Sequence, residues 1–300
     1  MMKSVAGAVL GLFVLAVAVF LTPTTAHVSD IEWLGRLSTF GGAERENVTR
    51  PDSSGGGGHG KFTGEAMIVA PIPFIPPLGI QFASDVVVGN ANWRWGVNGG
   101  PIVDFGFGKA GLLFVYQFRH YQGACGSSEP DLHGAWVRPA VSFYLPQTNI
   151  DFWISQAISQ RHVAQGCEND FRKVFVPVNE AHLMANFFPP VPIFGRDNLE
   201  VSLGVTVQNL WGASHVALSN GRGAVNIGPA AGVAIMPWQN LEVTLVRGWF
   251  DVNHNKYNVN SGVQYYFNLG KNPTPSLLAL RRKYLEPTLE PGTMGTYWNR

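Results

Sequence analysis

The sequence contains little charge, and neither sign is in excess. Only 14% of its 300 residues are Asp, Glu, Lys or Arg, against about 25% in an average soluble protein. The 21 basic residues are balanced by 20 acidic residues, which excludes a nucleic-acid binder that depends on a basic surface. Disorder is excluded as well, because 46% of the residues are hydrophobic and disorder needs low hydrophobicity with high net charge.

Cysteine is also scarce, with Cys125 and Cys167 as the two examples. No CxxC or Cys/His spacing is present that would indicate a zinc site. The two cysteines lie in polar segments and would form a disulfide in an oxidising compartment, with free thiols as the alternative. His120 and His162 precede them, but a metal site is the weaker interpretation, and we expect no cofactor.

Long apolar runs are absent after the first, which extends from Val5 to Leu21. Lys3 precedes this run and small residues follow it to Ala26, the pattern of a cleaved secretory signal peptide over residues 1–26. An N-terminal membrane anchor is the alternative. Cleavage would leave 20 basic and 20 acidic residues. The mean hydropathy of +0.06 is too low for a transporter made of several membrane-spanning helices.

Apolar residues instead alternate with small or polar residues over long segments. In Leu199–Trp211, Leu203 and Val205 share one face, whereas Ser202 and Thr206 share the other. Such segments have nearly the nine to eleven residues of a tilted membrane-spanning strand, rather than the five or six of a soluble one. The same pattern predicts strands from Phe62, in Leu78–Gly89, Trp93–Phe107, Leu112–Tyr121, Ala135–Leu145, Ile150–Arg161, Arg172–Phe188 (with a bulge near His182), Val225–Met236, Leu241–Phe250 and Tyr257–Asn268.

These eleven segments predict an all-β fold, a single antiparallel transmembrane up-and-down β-barrel of about twelve strands. The barrel is expected over residues 61–269. Residues 27–60 form a separate N-terminal region. Within it, Ile31–Phe40 is either the twelfth strand or a periplasmic or plug segment, and Ser53–Gly58 is expected to be a flexible connection to the barrel. A soluble β-sandwich is the alternative fold.

A Pro-rich periplasmic tail is predicted over residues 270–300. Within it, Ser276–Leu285 has the pattern of a short helix with a serine cap and a leucine stripe. This segment would plug the barrel, contact a periplasmic partner or be disordered, and the sequence does not choose between these.

Three segments near the end of the predicted barrel resemble those of a known group. Asn226–Gly232, Met236–Leu245 and Ser261–Phe267 look like the closing strands of transporter-like outer-membrane barrels of Gram-negative bacteria that are associated with degradation of aromatic compounds. The resemblance implies a channel. Such barrels commonly end on an aromatic residue, whereas here a tail follows Phe267. The expected location is the outer membrane, and the expected partners are lipid, lipopolysaccharide, the barrel-assembly machinery and a small-molecule solute.

The inward face of the predicted barrel carries two groups of charge. Arginines lie nearer the long-loop ends of their strands, and carboxylates lie nearer the short-turn ends: Arg94, Arg119, Arg138 and Arg161, then Asp104, Asp151, Glu200 and Glu242. The arginines would form a constriction that attracts anionic solutes, or all eight would form a structural lattice that fills the lumen.

We therefore expect a channel or transporter for small solutes, anionic or aromatic, and not an enzyme. The alternative is a structural or adhesive barrel with a filled lumen. A lipid-modifying hydrolase built on His215, Ser219 and Asn220 is a further alternative. Its spacing of four residues within a Gly-bounded loop favours simple loop polarity instead.

Overall fold

A computed structural model describes the chain in fourteen ranges. They are residues 32–45, 56–72, 75, 77–89, 92–121, 131–158, 162–164, 172–177, 179–191, 197–208, 226–251, 256–267, 276–285 and 294–299. The predicted signal peptide, the two cysteines, Arg161 and the His215–Asn220 segment lie outside the described residues.

Twelve antiparallel strands form a closed barrel. They are β1 (Glu32–Arg45), β2 (Gly56–Pro71), β3 (Leu78–Gly89), β4 (Asn92–Asp104), β5 (Gly108–Tyr121), β6 (Asp131–Leu145), β7 (Thr148–Ala157), β10 (Glu180–Phe187), β11 (Leu199–Gln208), β12 (Asn226–Trp238), β13 (Leu241–Asp251) and β14 (Lys256–Phe267). Each strand pairs with the next in this order, and β1 pairs with β14 to close the ring. The predicted barrel is confirmed, and its N-terminal segment is a strand of the ring.

The alternation of the sequence becomes two surfaces of opposite character. The outward side chains are apolar and exposed, as at Phe114, Leu203 and Ile227. The inward ones are largely polar and buried, as at Gln81 and Glu242. An apolar outer surface around a polar interior is the organisation of outer-membrane β-barrels, so the predicted outer-membrane location follows from the fold.

The two ends of the barrel differ in their connections. Five connections and both barrel termini lie at one end, which we call the short-turn end: 72–77, 105–107, 146–147, 188–198 and 239–240. The other end, which we call the loop end, has the connections 46–55, 90–91, 122–130, 158–179, 209–225 and 252–255. An even strand number places both barrel termini on the same side of the membrane.

The glycine-rich stretch is part of the barrel, so the prediction of a flexible connection is wrong from Gly56 onward. Gly56 pairs with Arg45 and Gly60 pairs with Gly41, which extends β2 along the whole of β1. The reason is that a strand in lipid needs a partner for each backbone N–H and C=O. Glycine provides these groups as well as any other residue.

The segment Arg172–Phe188 is two strands in two different sheets, not one bulged strand. β9 (Arg172–Pro177) ends at a proline, and β10 pairs with β7 and β11 in continuous register. The slip in the alternation therefore marks a break between sheets. β8 (His162–Ala164), β9 and β15 (Met294–Asn299) form a three-stranded sheet of order β15-β9-β8, with β8 and β9 in the connection 158–179 at the loop end.

The tail contains the predicted helix, α1 (Leu277–Lys283). Ser276 is its N-cap, because its Oγ accepts a hydrogen bond from the backbone N–H of Ala279 at 3.2 Å. Three basic residues occupy the last turn, where they interact favourably with the helix dipole. Within the described ranges, no helix is long and apolar enough to cross a membrane.

Leu203 tests the assignment of the outer surface to lipid. It lies at the middle of β11 and its side chain is 55% exposed. Leu203→Arg is expected to lower the free energy of unfolding in lipid vesicles by about 2–4 kcal/mol, because a cation at mid-membrane depth loses its hydration. Urea titration of the refolded barrel measures this, with Leu203→Ile as the control. An unchanged midpoint for the arginine variant would contradict a lipid-facing β11.

Candidate functional site

The helix α1 lies inside the barrel lumen. On one side of the ring, Gln81 of β3 donates from Nε2 to the carbonyl of Leu285 at 2.8 Å, and Lys109 of β5 donates from Nζ to the carbonyl of Lys283 at 2.7 Å. On the other side, Arg281 binds carboxylates on β11 and β13. A helix bonded to opposite walls of a closed barrel must lie within it. Of the three possibilities for the tail, the structure shows the plug for residues 276–285. The prediction of a periplasmic tail over residues 270–300 is wrong for β15, which pairs with β9 at the loop end.

Apolar packing accompanies these hydrogen bonds. Leu277, Leu280, Tyr284 and Leu285 are each at most 1% exposed, which is the predicted leucine stripe extended by one tyrosine. They belong to one hydrophobic cluster with Met67, Ile102, Leu113 and Met236 of the strands and Phe188 of the connection 188–198. The lumen at the short-turn end is therefore filled by an apolar core. Without the helix, water would occupy this space.

Arg281 is bound by three side chains of the barrel wall. Its Nε donates to Glu200 Oε2 at 2.7 Å, its Nη2 donates to Glu242 Oε1 at 2.8 Å, and its Nη1 donates to Tyr266 Oη at 3.3 Å. Glu200 is 2% exposed, Glu242 is 0% exposed and Arg281 itself is 5% exposed. We call Glu200, Glu242 and Tyr266 together the guanidinium site.

Neighbouring strands support both carboxylates. Arg247 Nη2 and Ser202 Oγ donate to Glu200 Oε1 at 3.2 Å and 2.8 Å. Gln264 Nε2 donates to Glu242 Oε1 at 2.9 Å. Each carboxylate is thus oriented by wall residues as well as by the helix, and its position is a property of the barrel.

The helix brings a third arginine to the buried charges around the guanidinium site, which also include Asp151 in the same cavity. Three arginines (Arg36, Arg247 and Arg281) accompany three glutamates (Glu65, Glu200 and Glu242), with Arg36 paired to Glu65 across β1 and β2. Burial by itself would lower the pKa of Arg281, but Glu200 and Glu242 raise this pKa well above its ordinary value. Arg281 therefore remains charged, and the helix supplies the third cation.

A cavity of about 110 Å³ extends from Arg281 toward the loop end. Its wall includes Trp153, stacked on His182 with ring centroids 3.7 Å apart. Arg138 lies over the opposite face of the indole at 4.3 Å from its centroid, and Thr206 Oγ1 lies 3.1 Å from His182 Nδ1. At about 110 Å³ the cavity is smaller than the pockets of drug-sized ligands, and it combines aromatic rings with polar groups.

The predicted inward-facing residues lie where the alternation places them, as far as they are described. Asp104 forms an ion pair with Lys109 at 3.3 Å, Asp151 accepts a hydrogen bond from Asn186 at 2.5 Å, and Glu200 and Glu242 are near the short-turn end. Arg138 is at the middle of β6, where its Nε donates to Ser155 Oγ at 2.6 Å. Arg94 and Arg119 are paired in register across β4 and β5, but their side chains are not among the described ones.

Sequence reasoning missed two arginines that complete the site. Arg281 is signalled by three consecutive basic residues in a predicted helix that follows a barrel with inward carboxylates. Arg247 is inward because β13 has one extra residue between Thr244 and Arg247, which shifts the alternation. Both Leu245 and Val246 are exposed to the outside at this bulge. Within the described residues, no cluster of three or more His, Cys, Asp or Glu side chains has a geometry suited to a metal.

Comparisons with known proteins agree with the fold and do not reach a family. No protein-family model and no curated protein matches the chain. A chain from a study of the in-meso crystallization of membrane proteins superposes with a TM-score of 0.55 at 10% identity, covering 89% of this chain and all (100%) of that one.

Two further solved structures are more distant. The COG4313 outer membrane channel from Pseudomonas putida F1 has a TM-score of 0.49 at 10% identity, covering 82% of this chain and 100% of that chain. The KdgM porin has a TM-score of 0.44 at 9% identity, covering 77% and 99%. At such identities and TM-scores these likenesses carry no argument beyond the fold, and the barrel itself is shown by the closed order of the strands.

Arg281→Ala tests whether the guanidinium site fixes the helix. Removing one partner of a buried ion pair costs about 3–5 kcal/mol, so we expect hydrogen exchange at the amides of α1 to accelerate by at least about a hundredfold. Arg282→Ala is the matched control, since Arg282 donates to Asn149 and to backbone carbonyls but binds no carboxylate among the described side chains. Equal exchange in the two variants would contradict the assignment.

Proposed function

We propose that the protein is an outer-membrane channel for small solutes whose lumen is closed at the short-turn end by α1. The observation that carries the proposal is the position of the helix, which occupies the lumen directly below the cavity and is bonded to both sides of the ring. Lipid and lipopolysaccharide would surround the apolar outer surface.

The closure depends on contacts that can break while the barrel stays intact. No residue of α1 belongs to the ladder of backbone hydrogen bonds that closes the ring. The helix is held instead by its leucines, by Arg281 and by a few hydrogen bonds to wall residues. Displacing α1 therefore opens no strand pair of the ring, although β15, which follows the helix in the chain, is paired with β9 in the three-stranded sheet.

The chemical class of the solute is a finer proposal. Trp153, His182 and Trp249 border the cavity, which supports solutes with a flat or aromatic group. The proposal of anionic solutes depends on Arg94, Arg119 and Arg161, because Arg138 is already engaged by Trp153 and Ser155. The hydrolase alternative depends on His215 and Ser219, for which the structure gives no geometry.

A structural barrel is the second candidate function. The extent to which the lumen is filled favours it, because both α1 and buried wall residues such as Arg138 and Trp136 occupy the interior. The two candidates differ in what happens when α1 is displaced. A channel then conducts, whereas a structural barrel remains blocked by its own wall residues.

Leu280→Asp separates these candidates. Leu280 is 1% exposed within the hydrophobic cluster, so a carboxylate there would be buried without a cation and should drive α1 out of the lumen. We expect the wild-type protein to be closed for most of the time in planar bilayers, and the variant to raise the time-averaged conductance at least about tenfold, the change that about 1.4 kcal/mol of lost docking produces.

Leu280→Met is the matched control, because it keeps the volume and apolar character of the side chain. It should conduct as the wild type does. Heat-modifiable gel migration verifies that each variant forms the barrel. A folded Leu280→Asp variant that does not conduct would overturn the channel proposal and favour the structural barrel.

A further inference from the structure

We infer that the guanidinium site binds a free guanidinium-bearing small molecule, and that Arg281 is a tethered ligand that occupies this site in the closed state. The ligand class is an alkylguanidinium cation. Binding to the site follows from the geometry of the wall alone. Its consequence, a weakened plug, rests on the proposed function.

The site provides one acceptor for each nitrogen of a guanidinium group. Glu200, Glu242 and Tyr266 accept from Nε, Nη2 and Nη1 of Arg281 respectively. A planar cation with donors in a fixed fork matches such an arrangement, whereas a compact ammonium ion cannot reach all three acceptors at once. The geometry therefore selects guanidinium over amines.

All three acceptors belong to the barrel wall and not to the tail. They lie on β11, β13 and β14, and they are oriented by other wall residues such as Ser202 and Gln264. Tyr266 Oη also donates to Glu242 Oε2 at 2.5 Å, which fixes the tyrosine relative to the carboxylate. The site is therefore built in advance and persists when α1 moves away.

The charge of the wall requires a cation at this position. Without Arg281, Glu200 retains Arg247 at 3.2 Å. Glu242 retains the neutral donors Gln264, Thr244 and Tyr266, with Arg36 and Arg247 as cations that act on it without a hydrogen bond. A buried carboxylate with only neutral donors is costly, and a weakly hydrated guanidinium loses less on entering such a site than a strongly hydrated alkali ion.

The cavity beside the site has room for the rest of such a molecule. Arg281 itself forms part of the lining of the space of about 110 Å³. An alkyl group attached to the guanidinium would extend toward Trp249 and Asn260, which border the same space. A short apolar chain fits this environment better than a second charge.

The experiment uses the full-length Arg281→Ala protein in detergent, with ethylguanidinium chloride as the probe at concentrations far below those that denature proteins. We expect ethylguanidinium to raise the thermal midpoint of this variant in a saturable manner, because a ligand that binds the folded state stabilises it. Ethylammonium and tetramethylammonium should give no saturable rise. Half-saturation for the wild type should need at least about tenfold more ethylguanidinium, since the tethered Arg281 competes at an effective concentration of about millimolar or more.

Arg282→Ala is the matched control: it removes hydrogen bonds between the helix and the wall but leaves Arg281 to occupy the site, so its half-saturation should need more ethylguanidinium than that of Arg281→Ala. If Arg281→Ala fails to fold, Arg281→Lys serves instead, because its ammonium leaves acceptors of the site unfilled and ethylguanidinium should bind it more tightly than the wild type. An absent saturable shift in the folded variant, or an equal shift with ethylammonium, would overturn the inference. Saturable binding together with a non-conducting Leu280→Asp barrel would instead leave the site intact and refute the channel.

Discussion

The arrangement of the lumen depends on one buried guanidinium. Glu200 and Glu242 are fixed in the wall near the short-turn end, and a β-barrel has few other places for charge, because its outer surface must be apolar in lipid. Two buried carboxylates need cations nearby. The wall itself provides Arg247, and the tail provides Arg281. The tail is therefore held in the lumen by a charge requirement that the strands create but do not fully meet.

The same constraint explains the composition. A chain with 14% charged residues and nearly equal numbers of both signs, 21 basic and 20 acidic, would cover a soluble surface poorly, but among the residues that the structure describes the buried charges are concentrated in the lumen. Inside, they form pairs such as Arg36–Glu65 and Lys109–Asp104. The balance of the whole sequence thus reflects local pairing. The expected separation of arginines and carboxylates is incomplete, since Arg36, Lys109 and Arg281 bring positive charge to the short-turn end.

Alternation predicted the fold well because each strand of a membrane barrel must present apolar residues to lipid and polar residues to the lumen over most of its length. It gave eleven of the twelve strands and left Ile31–Phe40 open between a strand and a plug, and it placed Glu200 and Glu242 on the inner face near the correct end. It failed where the period is interrupted. The bulge in β13 turns Arg247 inward, the proline at the end of β9 separates two sheets, and glycine carries no polarity signal in β2. The cap and leucine stripe of α1 were visible, but its place was not, because a helical pattern identifies an apolar face without identifying what covers it.

Two kinds of contact hold the plug, and they differ in what can replace them. The first kind is apolar burial: Leu277, Leu280 and Leu285 are buried, and each buried leucine contributes about 1.5–3 kcal/mol. The second kind is the set of ion pairs and hydrogen bonds of Arg281, which depend on direction. A small cation can replace the ion pairs and hydrogen bonds of Arg281, but it cannot replace the buried leucines. Changing a closed-to-open ratio from 99:1 to 1:99 needs about 5.5 kcal/mol of differential binding, so a guanidinium group by itself shifts the balance without completing it. A solute that also places an apolar group against the aromatic wall of the cavity would compete with both kinds of contact. The lumen favours such a solute because carboxylates and aromatic rings border the same space.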